Sequence, residues 1–372
     1  MTQRPFFEPA AAMALAFLAS GCGWILSSPV EQAQAAYEAQ DYATARDHTL
    51  AALQADENDA EALALLARIQ IAMGAGGEAL ATIERLSRTN SPPVDLSLLK
   101  AEVLLQTGEA TQALRALEGE NSAESWRLRA LAHAASGDAA AANAEFLRGR
   151  EAEGDKRKLY TAEANYHLDR GDADAARYAV GQVQQIAPDT IETLFVSARL
   201  AELDRRPDLA SRAYLAILDI APTDRPALLG AIHALDELGR VDLIRDLIAK
   251  GRVAYPQDFE FVYLLASLHA LEANWTAVRD TLQAREADLA GHEDARGLYG
   301  RSLLELGQPE QARALLEPLN RRYPGNAAYA RVYARILLDL GDKSGAGRVM
   351  RPILAGGTAS DEDRAIAARA AV

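Results

Sequence analysis

A small residue returns every 34 positions along this chain. Ala45, Ala79 and Ala113 keep that step, Ala142, Ala176 and Ala210 resume it, and Ile244, Val278, Ala312 and Ala346 continue it. A second row has the same spacing: Ala33, Ala67 and Ala101, then Ala130, Ala164, Ala198, Ile232, Ala266, Gly300 and Ala334. Both rows slip once by the same amount, between 113 and 142 and between 101 and 130. A shared slip is what a deletion inside a true repeat leaves behind, and chance alanines would not share it. A chain of 372 residues would otherwise be divided into two or three domains. The sustained period replaces that division with a stack of equal units.

Each unit reads as two amphipathic helices joined by a glycine-centred turn. Gly74, Gly108, Gly137, Gly171, Gly239, Gly307 and Gly341 mark that turn, several of them followed by Asp or Glu. Glycine ends a helix in the left-handed conformation at little cost, and the acidic residue starts the next helix. Pro188, Pro222, Pro256 and Pro324 close units, each followed within two residues by Asp or Asn. Proline stops the second helix and sets the bend into the next unit. Two small rows make sense as a crossing point, because alanine facing alanine lets two helix backbones approach closely. Leu63, Trp126, Tyr160, Leu194 and Leu228, four residues before the first row, complete its buried face.

This combination of length, paired small positions, glycine turn and closing proline resembles the tetratricopeptide repeat. Residues 191–224, IETLFVSARLAELDRRPDLASRAYLAILDIAPTD, carry it well, as does AAYARVYARILLDLGDKSGAGRV from Ala327. The resemblance covers residues 30–360 and implies an all-α fold, a right-handed α-solenoid of about ten helix pairs. An eleventh first helix, residues 361–372, falls in phase with Ala368 on the small row and would cap the last apolar face. The slip near Glu118 to Ser122 predicts one trimmed second helix. Ile232 and Ile244 together enlarge both small positions of the seventh unit.

The amino terminus reads as an address. Arg4 precedes the apolar run AAAMALAFLA, ten residues and too short to span a bilayer. Leu18-Ala19-Ser20-Gly21-Cys22 follows and includes the only cysteine. Residues 1–21 thus have the pattern of a secretory signal peptide. With cysteine directly after small residues, the segment resembles a bacterial lipobox, although Ala19 stands where leucine is usual. That resemblance implies cleavage before Cys22, lipidation of its thiol and new amino group, and a tether over residues 22–29. No aspartate follows Cys22, which by the same resemblance favours the outer membrane.

Composition narrows the chemistry. A net charge of −14 argues against nucleic acid and against a polybasic membrane patch. One cysteine excludes an internal disulfide framework and a cysteine-rich metal site. No two of the six histidines are three or four residues apart, so no helical metal pair is expected. His133, His167 and His269 follow the small row by three and read as packing residues. P-loop, GxSxG and HExxH motifs are absent, so neither catalysis, a cofactor nor a metal is expected.

Binding is the function this pattern favours. In tetratricopeptide arrays the first helices line a concave groove, by resemblance through the residue just past the small row and the one four before it. Those two lie on one helical face. They give Arg127, Asn165, Phe195, Arg199, His233, Tyr263, Arg301, Arg331 and Arg335 as candidate partner-binding residues. Phe195 and Tyr263 would expose aromatic surface beside Asn165, Arg199 and His233, a composition typical of interface hot spots. Arg301, Arg331 and Arg335 could receive an acidic segment. The plainer alternative pairs Arg301 with Glu305 and Arg335 with Asp339 one turn along the same helices. Asn165 lacks the Lys and Asn ladder of the chaperone-tail clamp, which disfavours that ligand.

The expected partners are proteins in the groove and a membrane through Cys22. The stretch ALALLARIQIAMGAGGEALATIERLSRTNSPPVDLSLLKAEVLLQTGEATQAL, with its double proline, resembles repeat lipoproteins of exosortase-type exopolysaccharide loci. The chain would then be an envelope scaffold for exopolysaccharide assembly or export. A pilus-assembly lipoprotein of the Flp/Tad type and a soluble periplasmic adaptor are the alternatives.

Overall fold

The computed structural model describes residues 28–357 and 359–371. The signal segment 1–21, Cys22 and Trp24 lie outside the described residues. The chain divides into two compact units, Met1–Gly154 and Asp155–Val372. No described helix is long and apolar enough to cross a membrane.

In the first unit four helix pairs follow one another. They are α1 (Pro29–Glu38) with α2 (Tyr42–Ala55), α3 (Ala60–Ala72) with α4 (Gly76–Leu86), α5 (Leu96–Gln106) with α6 (Ala110–Ala116), and α7 (Ala123–Ala135) with α8 (Ala139–Glu151). Six pairs form the second unit. The first three are α9 (Arg157–Asp169) with α10 (Ala173–Ile186), α11 (Ile191–Leu203) with α12 (Pro207–Ile220), and α13 (Arg225–Glu237) with α14 (Val241–Ala254). The remaining three are α15 (Phe259–Leu271) with α16 (Trp275–Gln283), α17 (Glu293–Glu305) with α18 (Pro309–Arg322), and α19 (Ala327–Asp339) with α20 (Lys343–Ala355). A last helix, α21 (Asp361–Ala371), packs on α19 and α20. The expected ten helix pairs and final lone helix are what the described residues form, four pairs in the first unit and six with the lone helix in the second. The trimmed second helix is α6, at seven residues. In the eighth pair α16 is also short, and a 3-10 turn over Glu286–Gly291 replaces its end, burying Leu289.

Both small rows lie where close approach requires them. Every alanine in them is fully buried, and Ile232 and Ile244 are nearly so. At Gly300 a methyl group would sit 1.8 Å from a Leu316 methyl, so glycine is what admits that leucine between α17 and α18. Side-chain caps start the second helices: Asp138, Asp172 and Asp342 accept hydrogen bonds from the backbone N–H groups of Ala141, Ala175 and Gly345.

The turn row is more complete than its glycines suggest. Continuing the 34-residue step from Gly74, Gly171 and Gly239 reaches Gln40, Arg205 and Ala273. These three adopt the same left-handed backbone, with φ of 60°, 54° and 54°. A non-glycine residue pays a steric penalty there, so the fold imposes the turn where the sequence does not favour it. Ala273→Gly is expected to stabilise the second unit by about 0.5–1 kcal/mol, net of the extra freedom glycine gains when unfolded. Its urea midpoint should rise at unchanged slope; a lower midpoint would show that the Ala273 turn is unstrained.

Candidate partner-binding groove

The residues just past the small row sit on the first helices, and most are held by a neighbouring repeat. Arg68 pairs with Asp95 at 2.7 Å. Arg127, only 9% exposed, is fixed by Glu124 at 2.7 Å and Glu102 at 3.2 Å. It braces the first unit rather than offering a free cation. Arg199 donates to the Asn165 side chain and to Asp169, so these two candidates are joined to each other. Arg335 pairs with Glu305 at 2.8 Å.

The one-turn pairings are therefore not the ones formed. Arg335 takes Glu305 of the preceding first helix instead of Asp339. Arg301 lies over the Trp275 ring, 4.8 Å from its centroid, instead of reaching Glu305. The physical reason is the packing of neighbouring helices, which brings Glu305 of α17 to Arg335 and the Trp275 ring of α16 to Arg301. The Phe195 and Tyr263 rings are also half-buried rather than exposed. Phe195 packs edge-on against Tyr214 at 6.1 Å. Tyr263 sits beside Ser267, and burial pushes its hydroxyl above the usual phenol range. His233 is exposed and lines a separate cavity with Glu202, Arg205, Arg206 and Glu237.

Four of the candidates do converge. Tyr263, Arg301, Arg331 and Arg335 line one cavity of about 300 Å³ between α15, α17, α19 and α21. Arg331 is anchored by two hydrogen bonds to the fully buried Asp363, at 2.7 and 3.1 Å. Gly297 gives the cavity its depth, since a Cβ there would come within 2.9 Å of the Tyr329 ring. The Tyr329 hydroxyl donates to Asp294 at 2.7 Å. Burial and that carboxylate hold the phenol well above its ordinary range. An adjoining cavity, about 660 Å³, shares Tyr263 and Asp294 and adds Glu260, His292, Glu293 and Arg322. There Arg322 is taken by Glu293 at 2.6 Å.

Glu260, Trp275, Asp294 and Asp363 belong to this region and were not among the sequence candidates. A helical-face reading could have found one of them: Asp294, Gly297, Leu298 and Arg301 follow the three- and four-residue spacing of one stripe on α17. Among the described residues no group of three or more His, Cys, Asp or Glu is placed to hold a metal ion.

The family model of the tetratricopeptide repeat matches residues 36–94 and 280–336. These two segments are tetratricopeptide repeats. The second contains Asp294, Gly297, Arg301, Arg331 and Arg335, so the arginine-lined cavity is built largely on tetratricopeptide helices. Among solved structures, the human IFIT1 dimer with m7Gppp-AAAA is similar at 13% identity and a TM-score of 0.51, covering 88% of this chain and 81% of that one. The type IV pilus biogenesis factor PilW is similar at 16% identity and a TM-score of 0.48, covering 57% of this chain and 99% of its own. Yeast Tom70 is similar at 11% identity and a TM-score of 0.41, covering 93% and 88%. The IFIT1 likeness is one of fold alone. No curated protein matches the chain's sequence.

Proposed function

We propose that this chain is a membrane-tethered scaffold that holds a partner protein in the assembly or export of an envelope structure, with exported polysaccharide as the favoured pathway. Tetratricopeptide repeats are a protein-interaction fold. The observation that carries the reading is the groove over α15, α17 and α19, where Tyr263 and Arg301 line a cavity and Arg301 has no carboxylate partner among the described residues. A charge of −14 is opposite to what holding a nucleic acid requires, so the RNA of the IFIT1 structure is not carried over. Support for the tether is the apolar leader ending at Cys22, and support for the polysaccharide pathway is the resemblance around Pro92-Pro93.

Two measurements test these parts separately. Radiolabelled palmitate should enter the full chain in a bacterial host, and Cys22→Ala should abolish that label and release the protein from the membrane fraction. Unchanged fractionation of Cys22→Ala would favour a soluble periplasmic adaptor. A photo-cross-linker at position 263 should capture a partner protein, whereas capture only from exposed second-helix positions such as Tyr178 would sink the groove assignment.

A further inference from the structure

The two cavities that meet at Tyr263 differ in the charge left unpaired: a carboxylate at Glu260 in one, a guanidinium at Arg301 in the other. On one side the acids outnumber the free bases. Arg322 is consumed by Glu293, whereas Glu260 has no cation at ion-pair distance among the described residues. Asp294 accepts from the Tyr329 hydroxyl through one carboxylate oxygen and lines both lobes. On the other side Arg331 is consumed by Asp363 and Arg335 by Glu305, and Arg301 is the cation left, with Glu362 beside Arg331 and the shared Asp294 as the other charges of that lobe. The Arg301 guanidinium lies over the Trp275 ring, a contact that holds the group without neutralising it. Tyr263, half-buried, lines both lobes.

The spacing of the two charges is set by one helix. Asp294 and Arg301 are two turns apart on the same stripe of α17, a rise of roughly 10 Å. That is the length of about three residues of extended chain. Between them Gly297 keeps the floor open, because any side chain there would meet Tyr329. Leu298 and Val332 supply apolar surface beside it.

We propose that this groove takes an extended partner segment carrying one basic and one acidic side chain about three residues apart, with an apolar or aromatic residue between them. The basic group lies in the Glu260 and Asp294 lobe, the acidic group meets Arg301, and the middle residue packs on Tyr263 over Gly297. This rests on the scaffold reading above and adds the chemistry that selects the partner. Arg301 and Asp294 are exposed and Glu260 is half-buried, so pairing of opposite charges here chiefly gives specificity, with same-sign segments held more weakly.

The test uses the full chain in detergent against an array of nine-residue peptides with an aromatic centre. The flanking pair is mixed-sign in either order, doubly acidic, doubly basic or neutral. Mixed-sign peptides in one order should bind at least about tenfold more tightly than same-sign or neutral ones. Arg301→Glu should shift the preference to doubly basic peptides. Glu260→Lys with Arg301→Glu should reverse the preferred order of the mixed-sign peptides, an inversion that mere loss of structure cannot produce. Binding that is indifferent to peptide charge, or unmoved by Arg301→Glu, overturns the proposal. If the cross-linker at 263 still captures a protein in that case, the scaffold reading survives; if it captures none, both fall.

Discussion

Phe261→Ala should destabilise the second unit by about 3–5 kcal/mol, among the largest losses open to a single truncation here. The Phe261 side chain is completely buried, stacked nearly parallel to Tyr255 at 6.0 Å, and seated directly on Gly251 of the preceding helix. A Cβ at 251 would lie 2.1 Å from the ring, so the glycine exists to receive it. A buried ring has little room to yield, and Gly251→Leu should therefore cost about 1–3 kcal/mol by overpacking. Combining Gly251→Leu with Phe261→Ala refills the space from the other side and should recover part of both losses. In a stack where each pair touches only its neighbours, the damage should stay local. Hydrogen exchange should accelerate first in α14 and α15, and a loss below about 1 kcal/mol would show that the ring is not the keystone of that junction.

The same contact gives the enlarged seventh repeat a physical account. Ile232 and Ile244 take both small positions, yet both are buried. Close approach in this repeat is provided by two other glycines: Gly251 accepts Phe261, and Gly230 accepts Tyr214, whose ring carbons would lie 2.4 Å from an added Cβ. Bulk has moved onto the small rows, and the space has moved to Gly230, beside Ile232 on α13, and to Gly251, about two turns beyond Ile244 on α14. The sequence period makes the departure visible but not its compensation, which requires knowing which neighbouring ring faces which backbone.

What could be read in advance, and what could not, follows the range of the interaction. The two alanine rows announce ten helix pairs because each unit repeats the same short-range demand for a close crossing. The turn row is visible at seven glycines and hidden at Gln40, Arg205 and Ala273, since a left-handed alanine costs only about 1–2 kcal/mol and the flanking helices outweigh it. Groove partners were hidden for a different reason. Arg199–Asp169 and Arg335–Glu305 each span 30 residues, one repeat less one helical turn. A search along single helices cannot find such pairs, whereas a search for opposite charges at the repeat length less four would have found both.

Breaking the Arg331–Asp363 pair should release the last helix while the rest of the second unit stays folded. In each earlier repeat of this unit, the residue five before the small row is buried: Leu159, Thr193, Ala227, Phe261, Ala295 and Tyr329. In α21 that place, five before Ala368, is held by Asp363, which is 0% exposed. The charge is tolerated because Arg331 grips both carboxylate oxygens and Ser360 donates its backbone N–H and hydroxyl to one of them. Arg331→Met removes the grip and leaves a buried, uncompensated carboxylate, at a cost of about 2–4 kcal/mol, a little below a fully buried pair because Arg331 is partly solvated. Amides of residues 361–371 should then exchange rapidly, with little change before α19. Hydrogen bonds from Arg331 hold the Asp363 carboxyl well below the usual carboxylate range. A carboxyl depressed by folding stabilises fully above its unfolded value of about 3.9 and loses that contribution as pH falls below it. The cap should accordingly loosen below about pH 4 and be insensitive between pH 5 and 8. Arg331→Met with Asp363→Leu converts the position to the apolar type found in Leu159 and should restore protection of α21, because an apolar pair avoids the desolvation that the ion pair must overcome. Slow exchange in the single Arg331→Met variant would mean that Ile366 and the apolar face of α21 hold the helix without the ion pair.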